Sequence, residues 1–243
     1  MSSAMPRKII IIGASSGIGE EMALLYASRG ERVAITGRRA ELLEAIRKQH
    51  PEQVITRCFD VMQSDSRQHL ESLISALGGM DLLIYNAGYG DASRELDWQT
   101  ERVTTETNVN GFVTLINKAF TFFCGQGYGQ IALTSSIAAL RGNSWSPAYS
   151  ASKAYMSNYA EGLQIKAARM KQDIVITDLR PGFINTKMSK GNKRFWMATP
   201  QKAAHQMITA IDRKKRIAYI TRRWWFIAQL LKLLPYSLYR RLA

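Results

Sequence analysis

Along the first three quarters of this chain, apolar residues fall in short continuous runs, and the segments between them repeat at helical spacing. KIIII (8–12), RVAIT (32–36), VITRCF (54–59), the body of MDLLIYNAG (80–88), GQIALTSS (129–136) and DIVITDL (173–179) are runs of strand length. Runs without polar alternation mark strands covered on both faces. Helical periodicity fills the gaps at 20–30, 40–49, 66–77, about 103–124 and 149–171, the first stopped by Gly30. Strands alternating with helices predict an α/β fold: one doubly wound parallel sheet with helices on both sides.

Composition sharpens this picture at two points. A chain of 243 residues, 46% hydrophobic, with no linker-like stretch before about residue 187, suits one domain spanning 1–243. Charge then divides it. Residues 187–243 hold fourteen Lys or Arg and one acid, Asp212, a formal charge of +13, while the first 186 residues carry +1. We expect 187–221 to supply a lid and the last sheet elements, and 222–243 to form a basic amphipathic segment that suits an anionic partner. Cys58 and Cys124 make no disulfide framework and read as buried thiols in a reducing cytosol. The apolar run Ile9–Ile12 is shorter than a signal-peptide core of roughly 7–15 residues, so a cytoplasmic protein is expected. The histidines at 50, 69 and 205 lack ligand spacing, so no metal is expected.

GASSGIG (13–19) joins the first strand to the first helix. Gly13 suits a tight turn, Gly17 a close approach of backbone to a pyrophosphate, and Gly19 close packing of helix on strand. The helix N-terminus then offers free N–H groups to phosphates. The second strand ends in Gly37, Arg38 and Arg39, with no carboxylate to bind a ribose 2′-hydroxyl. Guanidiniums there favour the 2′-phosphate of NADP over NAD. For Arg39, phosphate contact and a solvated helix start are both open.

GASSGIG, NAG (86–88), Ser136, and Tyr149 four residues before Lys153, in that order, together resemble the short-chain dehydrogenase/reductase family over residues 8 to about 186. The resemblance implies a Rossmann-type dehydrogenase with a small-molecule carbonyl or alcohol substrate. It implies Ser136, Tyr149, Lys153 and Asn108 as catalytic residues, with Asn110 the competing position for the last. It assigns cofactor contacts to Gly13, Ser15, Ser16, Gly17, Ile18, Gly19, Arg38, Asp60, Val61, Asn86, Ala87, Gly88, Tyr149, Lys153, Pro181, Gly182, Ile184 and Thr186. It also implies a homo-oligomer through the helices at 103–124 and 149–171. Ile12 stands where the family often has threonine, and Ser16 where some NADP enzymes have a basic residue, which leaves phosphate selectivity mainly to Arg38.

The chemistry of the Tyr149–Lys153 pair fits that assignment. A phenol ordinarily ionises near pH ~10, and an ammonium one helical turn away favours phenolate. Tyr149 would exchange a proton with substrate oxygen, Ser136 would hold that oxygen, and Asn108 would support a water chain through Lys153. Tyr155 and Tyr159 lie elsewhere on the helix and read as packing or interface residues.

Two segments bear on the substrate. Phe183, Met188, Phe195, Trp196 and Met197, with Lys187, Lys190, Lys193 and Arg194, suit a bulky lipophilic carbonyl compound with an anionic end; Trp145 suits the opposite wall. The alternative is a loop whose aromatics pack on the body. In RRWWFIAQLLKLLPYSLYRR (222–241), Gln229, Lys232, Tyr236 and Arg240 form a polar stripe on a helix kinked by Pro235. Its apolar run is too short to span a bilayer, so it either lies in a membrane interface or is buried against the body or a second subunit. A non-catalytic NADP-binding or membrane-associated protein is the rival to the enzyme. No nucleic-acid motif accompanies the basic tail, and charge alone gives only non-specific binding.

Overall fold

The computed structural model describes residues 5–93, 95–186 and 196–241. Seven strands form one sheet: β1 (Lys8–Ile12), β2 (Arg32–Gly37), β3 (Val54–Cys58), β4 (Leu82–Tyr85), β5 (Tyr128–Thr134), β6 (Asp173–Pro181) and β7 (Ile217–Ile220). Their order is β3-β2-β1-β4-β5-β6-β7 and all neighbours are parallel. The strand order reverses between β1 and β4. Crossovers leave to opposite faces there, which opens a crevice at the C-terminal ends of the strands.

The four isoleucines of β1 show why a continuous apolar run was needed. All are fully buried, with Ile9 and Ile11 in one core and Ile10 and Ile12 in the other. The first core lies under α1 (Ile18–Ser28), α2 (Ala40–Gln49) and α7 (Pro200–Asp212). The second lies under α3 (Ser66–Leu77), α5 (Gly111–Gln126) and α6 (Pro147–Met170).

The helix expected at about 103–124 is longer and is not regular. It begins as α4 (Trp98–Thr105), passes through a wide π-turn (Glu106–Asn110), and continues as α5. A π-turn inserts one residue into the helical ladder and re-aims side chains, a geometry that hydrophobic spacing does not encode. Phe112, just beyond it, is fully buried, its ring 5.2 Å from Tyr85 and 5.7 Å from Tyr159, both edge-on.

Two further expectations are corrected. Cys58 is exposed, because β3 is an edge strand and its last two residues have lost cover; Cys124 is half-buried. Pro235 does not kink one long helix. Leu234 is extended (ψ 122°), so the segment divides into α8 (Trp224–Leu233) and the single turn α9 (Tyr236–Tyr239), and the polar stripe is not continuous. The lid residues Lys187, Met188, Lys190, Lys193, Arg194 and Phe195 lie outside the described residues.

Phe112→Ala removes the ring that fastens the helix behind its π-turn to β4 and α6. We expect a loss of about 3–5 kcal/mol of unfolding free energy in urea with an unchanged m-value.

Candidate active site

The crevice at the strand reversal is a cleft of about 600 Å³. Its floor is the glycine turn. Gly13 and Gly17 hold φ of 87° and 65°, a region that penalises any side chain. A Cβ on Gly13 would lie 2.5 Å from the backbone nitrogen of Ala87, and one on Gly19 2.2 Å from the Gly13 carbonyl oxygen. Gly13 and Ala14 both donate their amides to the Thr36 carbonyl, at 3.1 and 2.8 Å, which ties the turn to β2. No side chain caps α1 at Gly17. Its first N–H groups therefore remain available to an anion. Ile18 itself is core, so only its backbone is available at the turn. Thr186 stands over Gly17, with its methyl 3.2 Å from where a Cβ would be.

Asn86 joins the two sides of the crevice. Its side-chain amide donates to the Gly13 carbonyl (2.9 Å) and its oxygen accepts from the Thr134 hydroxyl (3.1 Å). Ala87 and Gly88 continue the same wall, with Asp60 and Val61 beyond the end of β3. Asp60 is 3.7 Å from the Arg38 guanidinium, which is mostly exposed on the rim. Arg39 is the residue that sequence reasoning underrated. One of its guanidinium nitrogens donates to the hydroxyls of both Ser15 and Ser16 at 2.8 Å, so it leans over the glycine turn instead of into solvent. Nothing in the local sequence distinguishes it from a solvated helix start.

Tyr149, Ser150, Ser152 and Lys153 share the first turns of α6, whose Pro147 sits at a position where its missing N–H costs nothing. Lys153 is buried. Its ammonium donates to the Thr134 carbonyl at 2.8 Å and lies 5.8 Å from the centroid of the Tyr149 ring. Gly90 makes room for that ring: a Cβ there would be 2.3 Å from Tyr149 Cδ2. Gly88 keeps space open near Lys153 Nζ and Asn108 Oδ1, each 3.4 Å from its absent Cβ. Ser136 is buried at the end of β5 and caps the short helix 137–140 by accepting from the Ala138 amide (3.1 Å).

Asn108 occupies the π-turn and is fully buried. Its oxygen accepts from the Tyr89 amide (2.8 Å), and its nitrogen donates to the Tyr89 carbonyl (2.7 Å) and the Ser152 hydroxyl (3.0 Å). Asn110, the competing position, bonds instead to Glu106 on the exposed side. Outside the lining of this cleft, Pro181 ends β6, Gly182 gives its amide to the Ile220 carbonyl (2.5 Å), and Ile184 is buried beside Ala198. Phe183 and Trp196 meet Trp224 edge-on at 5.3 and 6.4 Å, so both pack on α8. Trp145 is exposed, with its carbonyl accepting from the Ser93 amide. Tyr155 and Tyr159 stack on one another away from Lys153.

Burial pushes the Lys153 ammonium down from 10.5 to about 8, against the opposing pull of the Asp178 carboxylate. Asp178 is itself buried, and accepts from the Ser135 hydroxyl and from Arg180 Nε (2.7 Å). Lys153 is therefore largely cationic at neutral pH. Unfolded, it takes up its proton below about 10.5; folded, only below about 8. Its contribution to stability thus falls as pH drops from 10.5 to 8 and stays at its lowest beneath that. The gap corresponds to roughly 3 kcal/mol. Lys153→Met is expected to leave the ligand-free protein as stable or more stable at pH 7. That advantage over wild type should shrink above pH ~8, as followed by thermal unfolding across pH.

Three kinds of comparison bear on the family and fold of this chain. A family model described as short chain dehydrogenase matches residues 7–195. An uncharacterized oxidoreductase of Mycobacterium tuberculosis is 30% identical over 250 residues, covering 98% of this chain and 97% of that protein. An 11-beta-hydroxysteroid dehydrogenase 1A of Arabidopsis thaliana is 30% identical over 245 residues, with 90% of this chain and 68% of that protein covered. Among solved structures, ElxO with NADP bound superposes with a TM-score of 0.79 at 20% identity, over 91% of this chain and all of that one. The family match over most of the chain and the full-length relative at 30% identity show the family, and the superposed structure shows the same fold. This chain belongs to the short-chain dehydrogenase family.

Proposed function

We propose that this oxidoreductase interconverts a carbonyl and an alcohol on a lipophilic small molecule, with NADP(H) as cofactor and Tyr149 as acid/base. The observation that carries the reading is the buried Lys153 cation held against the Tyr149 ring beside the glycine-turn cleft. The cofactor fits the residues present. A Cβ would fill the cradle at Gly13 and Gly19, α1 opens uncapped onto the cleft, and Arg38 and Arg39 stand where a 2′-phosphate would need cations. The NADP-bound neighbour structure supports the same choice. When bound, nicotinamide supplies or accepts hydride.

The chain's own groups manage the proton and the substrate oxygen. Tyr149 gives its phenolic proton to the developing alkoxide, or takes one in the reverse direction. Ser136, at the end of β5, holds the same oxygen by hydrogen bond. Lys153 keeps the resulting phenolate favourable, because an opposite charge in a buried setting acts through a low dielectric. Asn108 fixes the Tyr89 backbone and Ser152 around Lys153, and supports refilling of the proton from solvent. By the family resemblance, Pro181, Gly182, Ile184 and Thr186 would lie beside the reacting ring of the cofactor; Thr186 stands against Gly17 of the glycine turn. Phe183 and Trp196 give the substrate side an apolar wall. The resemblance to a hydroxysteroid dehydrogenase agrees with a bulky lipophilic substrate. Assembly of like chains through α5 and α6, where Tyr155 and Ile165 are exposed, belongs to the same reading.

Loss of NADPH absorbance with a panel of lipophilic ketones and aldehydes tests the reaction. Tyr149→Phe should lower turnover by about 10²–10⁴-fold while NADPH still binds within a few-fold of wild type. Tight NADPH binding with no turnover of any carbonyl would favour a non-catalytic protein. Arg39→Ser should raise the KM for NADPH by about tenfold or more and leave that for NADH nearly unchanged; equal effects on both would place Arg39 in folding of the turn alone.

A further inference from the structure

Helix α8 has two unlike sides. Trp224 and Ala228 are buried and face the body. The Trp224 ring fills the space left by the absent Cβ of Gly182, whose ideal position would be 2.1 Å from the indole. Arg141 fastens the other end, donating to the carbonyls of Leu231 and Leu234 at 3.0 and 2.8 Å. The same guanidinium lies 4.3 Å over the Tyr239 ring, and the Tyr239 hydroxyl donates to the Gly142 carbonyl. The segment is thus held in a defined pose on the loop that follows Ser136.

The opposite side is apolar and open. Phe226, Leu230 and Leu233 recur at helical spacing with exposures of 67%, 58% and 82%, and Trp225, Tyr236 (72%) and Leu238 extend the patch. Exposed apolar surface of this extent, on a segment with a fixed pose, marks an interaction site. Arg222, Lys232, Arg240 and Arg241 are all exposed around it, and no Asp or Glu occurs between residues 213 and 243. No helix among the described residues is long and apolar enough to cross a membrane.

We propose that α8 and α9 form a docking surface for an anionic lipid bilayer, lying flat in its interface. Apolar side chains would enter the acyl boundary, Trp225 and Tyr236 would sit at the headgroups, and the surrounding cations would meet anionic lipid. Charge decides against a second copy of this chain. A symmetric dimer through this patch would oppose cation to cation, and residues 1–221 carry a further formal +9, so a second copy offers no excess of acid to complement it. The pose also brings the bilayer next to Phe183 and the loop after Ser136, on the side assigned to substrate. The docking surface stands whether or not the proposed reaction does, because its test reads no turnover.

Co-sedimentation of the full chain with extruded vesicles tests it, using phosphatidylcholine alone and phosphatidylcholine with about 30 mol% phosphatidylglycerol. Binding to the anionic vesicles is expected to exceed that to neutral ones by about tenfold or more and to fall steeply in roughly 0.5 M NaCl. Phe226→Ser with Leu233→Ser, both on exposed positions, should abolish sedimentation while the far-UV dichroism stays unchanged. Arg222→Gln with Lys232→Gln should weaken only the anionic arm. Equal or absent binding to both vesicles overturns the proposal. So does a Phe226→Ser/Leu233→Ser variant that splits a wild-type oligomer in sedimentation velocity without changing vesicle binding, or salt-sensitive binding to duplex DNA with none to vesicles.

Discussion

A cation buried where the sheet meets α6 constrains everything around it. Lys153 has lost nearly all contact with water, and the cost of that burial is visible in its depressed pKa of about 8. Three features keep the ammonium tolerable: the Thr134 carbonyl at 2.8 Å, the field of Asp178, and the face of Tyr149. Removing a hydrogen-bonding partner from a buried charge is far costlier than never burying it. The end of β5, the π-turn and the start of α6 must therefore hold one mutual arrangement. Such strain against stability is common where a site is shaped for chemistry instead of for packing.

The fold supplies that arrangement through close backbone approaches. Gly13 and Gly19 bring the first turn against Ala87 and against itself, Gly88 leaves space beside Lys153 and Asn108, and Gly90 admits the Tyr149 ring. Asn86 then bonds across the strand reversal to both β1 and β5. The π-turn does for Asn108 what a regular helix would not: it turns the carboxamide inward to clamp Tyr89 and reach Ser152. The glycine turn and the Tyr149–Lys153 pair are consequently two ends of one hydrogen-bonded unit.

Much of this was legible in the residues. The isoleucines of β1 are buried on both faces because a doubly covered central strand has no polar face, and that is what an unbroken apolar run signals. Spacing and resemblance single out Ser136, Tyr149, Lys153 and Asn108, which lie at strand and helix ends on one side of the sheet; Asn108 bonds inward to Tyr89, whereas Asn110 bonds outward to Glu106. Other features were hidden for identifiable reasons. A π-turn leaves the hydrophobic period almost intact, so 98–126 read as a shorter plain helix. Arg39 looks like any solvated first-turn arginine until Ser15 and Ser16 are folded beneath it. Cys58 has apolar neighbours in sequence, but edge position in the sheet leaves it exposed. Arg141 lies about ninety positions from the carbonyls it caps on α8, a separation no local pattern carries.

The central physical claim is that the buried Lys153 charge makes the Tyr149 phenol acidic. Tyrosine labelled with ¹³C at Cζ, followed by NMR across pH in the NADP⁺-saturated protein, reads that ionisation directly. A Tyr149 midpoint below about 9 that moves up toward the ordinary ~10 in Lys153→Met is the predicted result. A midpoint at or above about 10 in both proteins would contradict it.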